Sequence, residues 1–234
     1  MKSYGQFCPV AKTMEVIGEK WTLLILRELL SGTTRFNDFQ RGLSKMSPTI
    51  LVKRLKHLEE KGLVIRKRLS GQKGHEYRLT PAGKELEPLI EQTAIWGMRW
   101  ARGQMTDEEL DVDLLMADMR RRIQTDMLPD GETVLCFSFS DLDKFKTWWL
   151  IIDGKDVDLC SDDHGKDVDL YVTTTLRIMT EIWEGDRDLS AAKNEDRVTA
   201  VGARHLIRSM NDWFGFSAYR HIRPATEEER RESA

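Results

Sequence analysis

Cysteine is scarce in this chain of 234 residues: Cys8, Cys136 and Cys160 lie far apart, with no C-x-x-C pair. That scarcity argues against a disulfide scaffold or a cysteine-based zinc site, and for a reducing cytosol. Long apolar runs are also missing. The longest, LLIL from Leu23 and WWLII from Trp148, fall far short of the roughly 20 residues of a membrane-spanning helix. The opening MKSYGQFCPV lacks the apolar stretch of a secretory signal. A cytoplasmic protein that does not enter membranes is therefore expected. No Gly-rich phosphate loop or metal-ligand set occurs, so no cofactor or metal is expected. What is present, 40% apolar and 32% charged residues, suits a soluble globular protein of one large domain or two ordinary ones.

The net charge of −3 hides an asymmetry. Residues 1–102 carry 19 Lys and Arg against 10 Asp and Glu, whereas residues 103–234 carry 17 against 29. A basic half joined to an acidic half suggests two domains with different partners, and excess positive charge favours a polyanion such as nucleic acid.

The basic half reads as helices followed by a hairpin. In CPVAKTMEVIGEKWTLLILRELLSG, Gly18 separates two helical segments and Gly32 ends the second. Leu23, Leu26 and Leu30 form an apolar stripe. RFNDFQRGL gives a short helix with Phe36, Phe39 and Leu43 on one side. In SKMSPTILVKRLKHLEEKGLV, Ser47 suits a helix cap and Pro48 the first helical position, where no N–H is needed. Leu51, Leu55 and Leu58 form the apolar line, and Thr49, Lys53, Lys56 and His57 face the other way, with Arg54 at the margin. A short helix followed by one with an apolar and a basic face fits a helix-turn-helix. LVIRKRLSGQKGHEYRL then reads as two strands around a turn, a wing. Lys45 to Arg78 contains ten Lys and Arg against three Glu, the concentration that phosphate contacts need.

These stretches, with the early Cys-Pro, the Gly-x-Lys-Trp, the Ser-Pro that opens the second helix and the Leu-Thr-Pro-x-Gly after the wing, resemble the HxlR-type winged helix-turn-helix regulators over residues 8 to about 100. The resemblance implies a homodimer that controls genes by binding pseudo-palindromic double-stranded DNA, a repressor being the expectation, with helix 47–61 as reader and the wing on the backbone or minor groove. The expected DNA contacts are Ser47, Thr49, Lys53, Arg54, Lys56 and His57, with Arg66, Lys67, Arg68 and Lys73 in the wing. After the wing, Thr80 and Pro81 start a long helix, kinked at Pro88, with Leu86, Leu89, Thr93, Trp96 and Trp100 on one seam. Its tryptophans suit either a dimer contact, the preferred reading, or an internal core.

The acidic half repeats the hexapeptide GKDVDL, at Gly154 and again at Gly165. Two copies are too few for a solenoid. DDHGKDVD lacks calcium-loop spacing, and His164 beside aspartates suits a solvated turn better than a metal site. Alternation of Val157 and Leu159, and of Val168, Leu170 and Val172, predicts two half-buried antiparallel strands with the turn between them. ETVLCFSFS, KTWWLIID and RVTAVG are further strands, and helices precede, interrupt and follow the set, which makes an α+β layer fold. The stretches WWLIIDGKDVDLC, DVDLYVTTTLRIMTEIWEGDRDLSAA and VTAVGARHLIRSM resemble the sterol carrier protein family in the form fused to HxlR-type regulators. The expected architecture is thus a mainly α winged helix-turn-helix with a two-stranded wing over residues 1–105, and over 106–234 a sterol-carrier-like α+β domain with a mostly antiparallel five-stranded sheet covered by helices. The resemblance implies an apolar cavity for a small-molecule effector. Phe137, Phe139, Trp148, Leu150, Ile152, Met179, Trp183, Trp213 and Phe214 are the candidate lining, and they equally suit a filled core.

Ser161, Asp162 and His164 are triad letters, yet near-neighbours in a turn cannot converge on one reacting atom, so the chain is not expected to be an enzyme. Two further readings stand open: a sensor domain for an apolar molecule, or a C-terminal domain used only for assembly. Cys8 has two readings as well. In several relatives the cysteine at this place senses oxidants or electrophiles; the alternative is a small buried apolar residue. Sensing needs thiolate character, and Lys12 is the one nearby cation in the sequence.

Overall fold

The structure, a computed structural model, describes residues 3–69, 74–102 and 105–231. They form two compact units divided between Trp96 and Gly97.

The first unit runs α1 (Pro9–Ile17), α2 (Thr22–Leu30), α3 (Phe36–Gly42), α4 (Pro48–Glu60), β1 (Val64–Arg68), β2 (His75–Leu79), α5 (Pro81–Lys84) and α6 (Glu87–Trp96). Its core joins Ile25, Leu26 and Leu29 of α2 to Phe39 of α3 and Leu51, Leu55 and Leu58 of α4. The expected α2 stripe is displaced: Leu26 is buried, but Ile25 and Leu29 go inward while Leu23 and Leu30 are half-buried. TLLILRELL is apolar on nearly every side, so its periodicity allowed two overlapping stripes and packing selected one. Glu28 is fully buried at the α2–α3 contact, accepting from Thr33 Oγ1 at 3.0 Å and pairing with Arg27 at 2.8 Å. Gly42 makes room for it, since a Cβ there would meet Glu28 Oε2 at 2.3 Å.

β1 and β2 pair antiparallel, with Arg66 opposite Tyr77, Lys67 opposite Glu76 and Arg68 opposite His75. The Leu-Thr-Pro-x-Gly stretch closes this ribbon physically. Thr80 Oγ1 donates to the Gly62 carbonyl at 2.7 Å and accepts from Gly83 N at 3.2 Å. A side chain at position 83 would strike the Leu63 carbonyl oxygen at 2.3 Å. The expected long helix is instead two. α5 stops at Lys84, and Pro88 sits in the first turn of α6, where a missing N–H costs nothing. The seam is also interrupted: Trp96 ends α6, and Trp100 lies in a π-helical segment, Gly97–Ala101, which belongs to the second unit.

The second unit continues with α7 (Val112–Arg122), β3 (Glu132–Phe139), β4 (Thr147–Asp153), β5 (Asp156–Cys160), β6 (Leu170–Thr174), α8 (Leu176–Glu184), α9 (Leu189–Asn194), β7 (Thr199–Gly202), α10 (Arg204–Arg208), α11 (Met210–Trp213) and α12 (Glu227–Arg231). Thr106 caps only a 3-10 turn, Asp107–Glu109; Asp111 caps α7 through Leu114 N. The five strands form one sheet in the order β5-β4-β3-β6-β7, antiparallel except for β3 beside β6.

The two hexapeptides are therefore not paired strands. The first forms the β4–β5 turn and the edge strand β5, and β4 and β3 separate it from β6. The second lies mostly in the crossover that brings the chain past β3, and only Leu170 of it belongs to β6. Lys166 pairs with Glu132 there, and Asp169 takes the Val134 N–H on its carboxylate at 2.8 Å. Alternation sets which face a residue occupies, not which strand lies beside it, so the expected pairing of the two copies does not hold.

Candidate nucleic-acid interface

α4 is held by its apolar line and begins with its N-terminal turn exposed. Ser47 caps it, with Oγ accepting from Ile50 N at 3.4 Å. Thr49, Lys53 and Lys56 are exposed, and Lys56 lies 3.7 Å from Glu60 along the same face. Lys53 makes no ion pair among the described residues. In the wing, Arg66, Lys67 and Arg68 are exposed, and Arg66 Nη2 lies 3.1 Å from His75 Nδ1. Arg78 on β2 is engaged, with Nε and Nη2 each 3.0 Å from the Glu76 carboxylate. That hydrogen-bonded contact holds the Glu76 carboxyl below its usual range, with help from the charges of Arg78, Lys67 and Arg35. Of the expected contacts, Lys53 on α4 and Arg66, Lys67 and Arg68 on β1 are left without an ion pair among the described residues. Lys73 lies outside the described residues.

Two of the expected contacts turn the other way. Arg54 pairs with Glu19, donates through Nε to the Lys20 carbonyl at 3.1 Å, and is only 14% exposed. His57 Nε2 lies 3.1 Å from the Val16 carbonyl. At about 100° per residue, Arg54 sits roughly 40° from Leu58 around the helix, so a place near the buried side was available to it.

Two apolar residues assigned to neither face in the sequence are exposed on the two flanks of the basic side. Val52 is 53% exposed and Ile50 is also exposed. Apolar residues next to the Leu51 line read as core. The signal that could have found them is the helical wheel, which sets Val52 about 100° from Leu51. On a reader helix, aliphatic groups suit the methyl of thymine.

The nine candidate lining residues of the second unit are brought together. Each is at most 5% exposed, and all belong to one cluster between the sheet and its helices. Trp183 and Trp213 both meet Phe214, with ring centroids 6.3 and 6.2 Å apart. Trp213 Nε1 donates to the Leu206 carbonyl at 2.9 Å and Trp148 Nε1 to that of Phe145 at 2.7 Å, so both indoles are polar-satisfied in place. A cleft of about 480 Å³ lies elsewhere in this unit, between the end of α7 and the β4–β5 turn, lined by Arg120, Arg121, Lys155, Asp126 and Asp156 among others. An adjoining one of about 310 Å³ includes Ile152 from the nine.

Cys8 is half-buried at the cap position of α1. The cation expected to assist it, Lys12, is 3.2 Å from Glu15. Ser161, Asp162 and His164 form a local turn in which His164 Nδ1 contacts the Asp162 carbonyl at 2.7 Å. Among the described residues, no group of three or more His, Cys, Asp or Glu is placed to hold a metal, and no helix is long and apolar enough to cross a membrane.

Known proteins resemble the first unit. Residues 16–105 match the family described as HxlR-like helix-turn-helix. A Mycobacterium tuberculosis protein, named the uncharacterized HTH-type transcriptional regulator Rv3095, is 45% identical over 89 residues, which is 38% of this chain and 56% of that protein. The chain thus spans little more than half the length of that relative. The Bacillus subtilis protein named the uncharacterized HTH-type transcriptional regulator YdeP is 35% identical over 94 residues, covering 40% of this chain and 73% of YdeP. Among solved structures, the redox regulator HypR in its reduced form is 35% identical, covers 38% of this chain and 90% of HypR, and superposes with a TM-score of 0.36. From its match over residues 16–105 and its identity across most of YdeP, the chain belongs to the HxlR-like helix-turn-helix family.

Proposed function

We propose that the chain is a transcriptional regulator that binds double-stranded DNA, with α4 in the major groove and the wing on the phosphate backbone. One observation carries this reading. Of the expected contacts, Lys53 on the outward side of α4 and Arg66, Lys67 and Arg68 on β1 are exposed with no ion pair among the described residues, where a helix anchored by Leu51, Leu55 and Leu58 can present them together. Family membership and the names of the relatives support it. Ser47, Thr49, Lys53 and Lys56 are the contacts from α4, and Arg66, Lys67 and Arg68 those from the wing. The working form is a homodimer on a pseudo-palindromic site, with reader helices about 34–36 Å apart. Its support is apolar surface in the first unit: Phe7 is 98% and Trp96 61% exposed, Val10 and Leu89 are exposed too, and α6 buries no residue of its own. Repression is the mode of control that we assign.

Residues 1–105 form the DNA-binding and dimerisation part in this reading, and residues 106–234 a sterol-carrier-like part that takes an apolar small molecule. The second assignment rests on the resemblance of the sequence, since the aromatic cluster is buried throughout and the clefts of this unit lie beside charged groups. Redox sensing through Cys8 draws less support, because Lys12 is occupied by Glu15.

The test is selection of duplexes from a random-sequence pool by the purified chain, then footprinting and a salt titration. A two-fold symmetric footprint and a steep fall of affinity with salt are expected. Failure to enrich any sequence, with affinity insensitive to salt, overturns the reading.

A further inference from the structure

Arg54 and His57 occupy the reader helix but bond away from its exposed side. Both reach the elbow between α1 and α2. Arg54 pairs with Glu19 and donates to the Lys20 carbonyl; His57 faces the Val16 carbonyl, which only accepts, so Nε2 carries the proton. The elbow is itself strained: Trp21 has φ of 79°, a left-handed conformation unfavourable for a bulky side chain. Such a residue persists only where its surroundings over-determine it. Lys20 Nζ lies 5.5 Å from the centre of the Trp21 ring, and the two bonds of Arg54 fall on the two residues just before Trp21.

We infer that Arg54 and His57 are positioning residues, which lock the reader helix onto the α1–α2 elbow and so set its angle of entry into DNA. The inference rests on the DNA-binding reading and deepens it. Two of the cationic or titratable groups that a basic helix would be expected to offer to phosphate are committed inside the protein. They fix the pose from which Lys53 and Lys56 act. The pose matters because sequence is read only where side chains reach base edges, whereas phosphate contacts tolerate small rotations.

A phosphate-binding Arg54 and a positioning Arg54 predict opposite signs at Glu19. If Arg54 contacts DNA, removing the Glu19 charge lowers repulsion of the polyanion and strengthens binding. If Arg54 is a lock, the same change weakens recognition. The experiment uses full-length Glu19→Gln, Arg54→Ala, Arg54→Lys and the Glu19→Gln/Arg54→Ala pair. Affinities for a duplex recovered by in vitro selection and for a random duplex are measured across a KCl series, and amide hydrogen exchange is followed on the same proteins. Each of the first two single variants should lose about tenfold in affinity for the selected duplex and much less for the random one. The double variant should be no weaker than either single, and Arg54→Lys should recover part of the loss. The slope of log affinity against log salt should stay at the wild-type value, and exchange should rise at residues 16–22. Unchanged or tighter binding by Glu19→Gln overturns the lock. So does a slope reduced by about one in Arg54→Ala, the sign of a lost phosphate contact. If the wild type selects no duplex, the DNA-binding reading fails, and exchange alone decides the lock: unaltered protection at residues 16–22 overturns it, and a local rise in both single variants supports it.

Discussion

Arg68 in the wing and Arg187 after α8 are the same side chain put to opposite uses. Arg68 is exposed and makes no ion pair among the described residues. Arg187 reaches Glu181 at 3.0 Å and Glu195 at 3.5 Å. The contrast extends through each unit. In the second, Arg102 pairs with Asp186, Arg177 with Asp107, Arg121 with Asp118, and both Arg99 and Arg223 with Glu229. In the first, Arg27 pairs with Glu28, Arg54 with Glu19, Arg78 with Glu76, Lys12 with Glu15, Arg41 with Asp38 and Lys56 with Glu60, while the exposed Lys53, Arg66 and Arg68 have no acid partner among the described residues. A paired surface arginine has its field largely cancelled and contributes about 0–1 kcal/mol to stability. An unpaired one leaves a field that a polyanion can neutralise with release of counterions. At the compared positions the units thus differ in what each charge already faces as well as in charge count.

The comparison breaks most visibly in the interiors. Trp213→Ala should cost the second unit about 3–5 kcal/mol, the usual cost of emptying a buried aromatic site, because Trp213 is fully buried and its indole N–H is bonded. Thermal unfolding followed by tryptophan fluorescence should show an early transition. DNA affinity below that transition should be retained if the first unit reads DNA by itself. An unshifted transition would mean that the cluster around Trp213 is loosely filled, as an open ligand cavity requires.

Lys53→Ala comes next. It should cost about 1–3 kcal/mol of affinity for a selected duplex if the side chain reaches a base, and relax sequence preference at one position of each half-site. Arg187→Ala, the matched control from the second unit, should leave DNA affinity unchanged. Equal losses in both variants, measured by fluorescence anisotropy, would remove the distinction drawn between unpaired and paired cations.

Wing substitutions should be smaller and of a different kind. Arg68→Ala should weaken all duplexes alike and lower the salt slope by about one. Arg78→Ala should change the slope little, since Arg78 is already bonded to Glu76. A slope change in Arg78→Ala as large as that in Arg68→Ala would show that the Glu76 contact opens on DNA.

Much of this was legible in the sequence because local chemistry decided it. Ser47-Pro48 has one good place, a helix start, and Leu51, Leu55 and Leu58 fix the buried side of α4. The strands β3 and β4 were legible from alternation, and α8 from the spacing of Leu176, Met179 and Trp183 and its stop at Gly185. What failed was non-local. GKDVDL takes two conformations because its first copy has β4 beside it and its second lies in a crossover whose aspartate bonds β3. Arg54 stood apart from Lys53 and Lys56 only by its place at the margin of the basic face, and His57 by nothing local. Their partners, Val16, Glu19 and Lys20, are more than thirty residues away in the chain and become neighbours only when α4 packs. The paired or unpaired state of each arginine, on which the two units differ, is likewise invisible in a charge count.

The smallest effects concern two glutamates of the second unit, one inside the pairing rule and one outside it. The Glu229 carboxyl is held down to about 2 by the Arg223 hydrogen bond first, then by the Thr226 N–H and the nearby Arg99. Its folded value lies below the ordinary one, so its contribution to stability is complete above about pH 4.5 and is lost as pH falls towards 2. Glu184 is the opposite case. Burial pushes its carboxyl up against the opposing pull of Arg102, and Oε2 has no hydrogen-bond partner among the described residues. A raised acid costs stability where it is ionised, and that cost disappears as the pH drops below its unfolded value. At pH 7, Glu229→Gln should therefore lower the unfolding midpoint of the second unit, and Glu184→Gln should raise it. Both differences should shrink in acid, that of Glu184 as its native carboxyl takes up a proton and that of Glu229 as the pH falls below about 4.5 towards 2. Thermal melts of the two variants and the wild type between pH 7 and pH 3 provide the check. A Glu184→Gln midpoint below wild type at pH 7 would mean that the carboxylate has found a partner, and would place Glu184 with the paired charges of its unit.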